Sequence, residues 1–102
     1  MAYFVKQYTV TATAATLTSA CGFSTKKNVA QLDVKAKPGN TGKVYLGASN
    51  VTNTPANAGA ELAGGEAFSI VPDESQASAV TTDDVYIVGT ASDVAYITVI
   101  GD

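Results

Sequence analysis

The sequence predicts an all-β fold, an antiparallel sandwich or barrel of seven or eight short strands with no substantial helix. Three observations carry this expectation. Runs rich in Val, Ile, Thr and aromatic residues recur along the chain, separated by turn-forming residues about every ten positions. Residues 30–37 alternate strictly between apolar and polar, the period of a strand with one face in a core. No stretch makes a convincing amphipathic helix. The 102 residues are read as one domain, 1–102, with residues 1–18 as a strand or an arm reaching a neighbouring subunit.

From Tyr3 to Thr18 the chain is rich in Thr, Ala and Val, and the branched Cβ of Thr favours strand. Val5 falls on one parity and Phe4, Tyr8 and Val10 on the other, so a strand apolar on both faces or an intersubunit arm fits. Residues 21–28 read as a turn, with Lys26 and Lys27 in solvent. Ala30, Leu32, Val34 and Ala36 then share a buried face, opposite Gln31, Asp33, Lys35 and Lys37. Pro38, Gly39 and Gly42 break this strand.

Residues 43–47 form a short strand with Val44 and Leu46 inward. Residues 48–65 lack any period and read as a long loop, with a weak helical turn near 58–62. A strand over 66–71 turns Phe68 and Ile70 inward, an acidic turn covers 72–76, and a short run lies near Ala77–Val80. The runs Asp84–Gly89 and Asp93–Gly101, joined by a short Gly-containing connection, are expected to close the chain as a hairpin. No internal repeat is visible.

Hydrophobic residues make up 46% of the chain, but 17 of them are Ala and only eight are Leu or Ile. Burying a Val, Leu, Ile or Phe side chain contributes roughly 1.5–3 kcal/mol, and Ala supplies much less. The thin core favours an oligomer or an assembly component; a marginal monomeric sandwich is the alternative. Net charge is −3, with six Lys and no Arg, which argues against nucleic acid as a partner. Cys21 is the only cysteine and forms no internal disulfide. The N-terminal residues lack the pattern of a secretory signal and no apolar run reaches membrane-spanning length, so a soluble protein made in a cytoplasm is expected.

The chain contains no His, which removes imidazole acid–base catalysis, the Ser–His–Asp and Cys–His systems, and the commonest zinc ligand. Cys21 reads as a packed residue. No P-loop or dinucleotide-binding glycine pattern occurs. The pairs Asp73–Glu74 and Asp83–Asp84 are the remaining candidates, for glycoside hydrolysis or, with Asn53 or Asp93, for Ca²⁺. Adjacent acids at strand starts are more often solvated turn residues. Tyr45, Tyr86 and Tyr96 would have to build any sugar-stacking platform, yet each lies in a strand where packing is the simpler role. The expectation is no catalytic residue, no metal and no cofactor.

Gly42–Lys43–Val44–Tyr45–Leu46–Gly47–Ala48–Ser49–Asn50–Val51–Thr52, then Gly65–Glu66–Ala67–Phe68–Ser69–Ile70, then Val85 to Gly89 and Ala95 to Ile100, resemble an ordered set of pieces in small virion proteins of tailed bacteriophages. The likeness covers about residues 42–101. It implies a non-enzymatic structural protein with a β-sandwich of jelly-roll type. Within that class the expectation is a capsid decoration or cement protein on the capsid exterior, a homotrimer bridging major capsid protein subunits. The first forty residues do not carry the likeness; under the cement reading the contact residues are expected first at Tyr3, Phe4, Val5, Tyr8 and Val10, and second at Asn50, Asn53 and Pro55 in the long loop. The rival reading is a tail or fibre accessory, or a host-surface carbohydrate-binding module.

Overall fold

The structure, a computed structural model, describes residues 2–72 and 80–102. Its strands are β1 (Ala2–Thr9), β2 (Ala15–Thr16), β3 (Val29–Ala36), β4 (Val44–Gly47), β5 (Ala60–Leu62), β6 (Ala67–Ile70), β7 (Tyr86–Gly89) and β8 (Val94–Gly101). Helix α1 (Leu17–Ala20) and a 3-10 turn at Pro55–Asn57 are the only helical elements among the described residues. The all-β expectation therefore holds. No helix of the described residues is long and apolar enough to cross a membrane.

Two four-stranded antiparallel sheets form, in the orders β1-β8-β3-β6 and β2-β7-β4-β5. The pairing is nested: β1 with β8, β2 with β7, β3 with β6, and β4 with β5. Contacts of β3 with β8 and β4 with β7 join these pairs into sheets. The core gathers one face of each sheet. Leu32, Val34, Ile97 and Val99 come from the first, and Val44, Leu46 and Ile87 from the second.

The closing hairpin does not form. β7 and β8 lie in different sheets, and residues 90–93 arch from one to the other. Both edges of β8 are taken, by β1 and β3, while the Gly89 N–H donates to Thr11 O at 3.0 Å. A hairpin and an arch share the same local signature, two β-rich runs with a short turn between them. Only the distant partners separate the two.

The N-terminal strand is shorter than the residues suggest. It ends at Thr9, and residues 17–20 turn helical because the chain caps itself there. The Thr16 hydroxyl accepts from Ser19 N at 3.1 Å, an N-cap. At the other end Gly22 takes φ +74°, its N–H donates to Ser19 O, and Phe23 N donates to Thr18 O. That pair of bonds is a Schellman closure, which needs the left-handed residue that Gly supplies.

Ala30 is not a core residue. A bulge between Val29 and Gln31 against β8 inserts one extra position. Val29 and Leu32 are both buried as a result, and Ala30 sits half-exposed between them. The long loop also carries more order than its sequence signals, with the 3-10 turn at Pro55–Asn57 and strand β5 paired to β4. The expected helical turn near 58–62 is instead this strand. The acidic turn from Asp73, the Asp73–Glu74 pair and residues 77–79 lie outside the described residues.

Candidate functional site

β1 is an edge strand, with β8 on one side and no strand among the described residues on the other. Its even-numbered residues face the core side. Phe4 and Tyr8 pack partly buried against the core, and Val10, just beyond the strand, is itself core at 1% exposure. The odd-numbered residues face outward, and Tyr3 at 70% and Val5 at 64% exposure stand in solvent. Of the five N-terminal contact candidates, only these two are presented whole. Outward-facing residues of β8 continue the surface, since Ile100 lies opposite Tyr3, Thr98 opposite Val5 and Tyr96 opposite Gln7. Ile100 and Tyr96 were missed as candidates, although a β8 apolar on both parities was the available signal.

The strand is held from beneath. The Phe4 and Phe23 rings meet edge to face at 4.8 Å between centroids. Lys27 Nζ lies 5.4 Å from the Phe4 centroid and 5.6 Å from that of Phe23. A cation placed over ring faces is attracted by their quadrupoles. Lys27 is therefore half-buried over two rings rather than solvated, whereas Lys26 is exposed. This cluster ties the Schellman turn after α1 to β1 and fixes the orientation of the edge.

The backbone pattern shows where the edge points. Val10 N donates to Asp93 O at 2.7 Å and Ser92 N to Val10 O at 3.2 Å, so the residue-10 amides face the β8 side. Antiparallel strands alternate, and residues 8, 6, 4 and 2 follow the same direction. The amides of Tyr3, Val5, Gln7 and Thr9 therefore point away from the sheet. On the far side of β8, Lys37 N donates to Val94 O at 3.0 Å, as this parity requires.

Asn50, Asn53 and Pro55, the second candidate group, are exposed on the segment between β4 and β5. They belong to the other sheet's connections. Val51, between the two Asn residues, is buried, so the segment is pinned at its centre. Tyr45 and Tyr86 lie in one sheet and Tyr96 in the other, so the three make no single platform.

A crevice of about 340 Å³ opens between the sheets, lined by Leu46, Phe68, Ile70, Val80 and Val85 with Asp84 beside them. Its walls are almost wholly apolar. Among the described residues no buried side-chain nitrogen or oxygen lacks a hydrogen-bond partner.

Asp83, Asp84 and Asp93 have structural partners. Asp83 Oδ1 accepts from the Thr18 hydroxyl at 2.5 Å, and Asp84 Oδ2 accepts from Thr81 N at 2.8 Å and Thr81 Oγ1 at 3.1 Å. Asp93 is buried and accepts from Thr41 N, Thr41 Oγ1 and Gly42 N. The Thr41 N–H lowers the Asp93 carboxyl most, burial opposes it, and the Gly42 N–H lowers it further. No group of three or more His, Cys, Asp or Glu side chains among the described residues is placed to hold a metal ion. Cys21 is half-buried, and burial pushes its thiol up to about 11 while Lys6 pulls the other way. A thiol held protonated is a poor nucleophile.

Compared with family models, with curated proteins and with solved structures, the chain matches none.

Proposed function

We propose that this chain is a non-enzymatic virion structural protein, a capsid decoration or cement protein of a tailed bacteriophage. In this role it sits on the capsid exterior, binds the major capsid protein and its own copies, and stabilises the shell by bridging subunits. The observation that carries the reading is the β1 edge, which no strand among the described residues covers, with Tyr3 and Val5 turned to solvent. Exposed edges recruit further strands unless something blunts them.

The strand orders support a jelly roll as the finer architecture. Nested pairing of first with last, second with second-last, and so on inward is what one long antiparallel hairpin gives when it rolls into two sheets. Viral capsid domains and lectins share that architecture, though a fold alone does not set a function. The pieces that resemble phage virion proteins fall on β4 and the residues after it, including Asn50, and on β6, β7 and β8, and none falls on β1. The exposed Asn50, Asn53 and Pro55 supply the surface for shell contact.

The test is sedimentation of the purified protein with empty heads of its source phage. Saturable co-sedimentation, and a higher temperature of head disruption with the protein bound, are expected. Protein that stays in the supernatant, or that binds host glycans and no heads, overturns the reading.

A further inference from the structure

We propose that the outer edge of β1 pairs with β1 of a second copy, antiparallel about a two-fold axis through Val5. This deepens the contact role proposed for β1 and rests on it. The outward amides belong to Tyr3, Val5, Gln7 and Thr9, whose side chains also form the exposed face. Two such edges therefore hydrogen-bond only in registers that set odd-numbered residues opposite odd-numbered ones. Four of these registers are symmetric and pair five or more residues of β1, those centred on Phe4, Val5, Lys6 and Gln7.

Centring on Lys6 sets Lys6 against Lys6 of the other copy, and like charges directly opposite are destabilising. Centring on Phe4 or on Gln7 pairs only five residues of each strand. Centring on Val5 avoids both faults. Val5 meets Val5, and Tyr3 and Gln7 exchange amide bonds with Gln7 and Tyr3 of the second copy. Lys6 then lies opposite Phe4 and not opposite a like charge. The outer faces of both sheets join, bringing the Tyr3–Ile100 and Val5–Thr98 pairs of the two copies side by side.

The experiment is cross-linking and elution mass on the full chain. Val5 is exposed, so its substitution leaves the fold intact. A Val5→Cys variant with Cys21→Ser is expected to form a disulfide dimer on mild oxidation, because directly opposed residues sit at bridging distance. A Gln7→Cys variant, opposed to Tyr3, is expected not to.

Val5→Lys and Val5→Glu are each expected to weaken the dimer by about tenfold or more, and an equimolar mixture to restore it. Wild type that elutes as a monomer, or as the trimer implied by the phage resemblance, overturns the proposal, as does cross-linking at Gln7 rather than Val5. Heads separate the two levels of argument. A Val5→Lys monomer that still sediments with heads keeps shell binding and isolates self-pairing. A wild-type dimer that ignores heads removes the shell function and keeps the pairing.

Discussion

Asn40 and Asp93 each bind the backbone just beyond the other. Asn40 Nδ2 donates to Val94 O at 2.9 Å and its Oδ1 accepts from Val94 N at 3.0 Å, so the amide side chain pairs with Val94 as a strand would. The Asp93 carboxylate accepts from Thr41 N at 3.0 Å and Gly42 N at 2.8 Å. This reciprocal lock joins the turn after β3 to the arch between β7 and β8. It holds the two sheets together at the crossing where a hairpin was expected.

Asp93→Asn keeps the shape and replaces one acceptor oxygen with a donor facing donors. It is expected to lower stability by about 1.5–3 kcal/mol near neutral pH, the value of a hydrogen bond to a charged group. The effect should fade in acid. The folded carboxyl lies below its ordinary value, so its contribution is complete above the unfolded pKa of about 3.9. It is lost as pH falls through the folded value. Urea midpoints of wild type and variant, measured from pH 7 downward, should converge. A constant gap would show that the charge is not what holds the lock.

Ser92 takes φ +78° in the same arch, and Asp93 N donates to Thr90 O at 3.1 Å to close the turn. With Ser92 third of four, the turn is of the kind that wants Gly or Asn there. Ser92→Gly relieves a left-handed cost of roughly 1–2 kcal/mol, offset in part by greater freedom of the unfolded chain. A net gain of up to about 1 kcal/mol in thermal or urea unfolding is expected. A loss would mean that the Ser side chain contributes more than its backbone costs.

With its thiol raised to about 11 by burial, Cys21 should resist alkylation at pH 8 while the protein is folded. In denaturant it should react at the rate of an ordinary thiol of pKa about 8.5. Iodoacetamide labelling followed by mass reads both rates. Equal rates in the two states would place the sulfur in open solvent.

The sequence announced strands where an alternation with one buried face runs over four or more residues, and missed the three-residue β5. β4 with Val44 and Leu46 inward is the clearest case, and β3 follows the same rule over Leu32, Val34 and Ala36. It misplaced Ala30 because a bulge changes parity without changing composition. It joined β7 to β8 because pairing partners far apart in the chain leave no local trace. The Asn40 and Asp93 lock was invisible for the same reason, each residue reading as an ordinary turn former. At the contact edge, Tyr3 and Val5 were legible as apolar residues. Which of the N-terminal apolar residues face water depends on the register with β8, which only the structure supplies.

The Gly47 and Val51 pair is set by packing at the end of β4. A Cβ at Gly47 would lie 2.9 Å from Val51 Cβ and 3.1 Å from Asn57 O, closer than side chains pack. The missing side chain therefore makes the space in which Val51 is buried beside the end of β4. Gly47→Ala is expected to cost about 1–3 kcal/mol by overpacking. Val51→Ala is expected to cost somewhat less, through lost burial. Because the two changes relieve each other, the double variant should be more stable than the sum of the single effects predicts, by about 0.5 kcal/mol or more. The rescue stays partial, since the Asn57 carbonyl is backbone and yields little. Simple additivity in denaturant titrations would show that the glycine serves the turn's backbone conformation and not the seat of Val51.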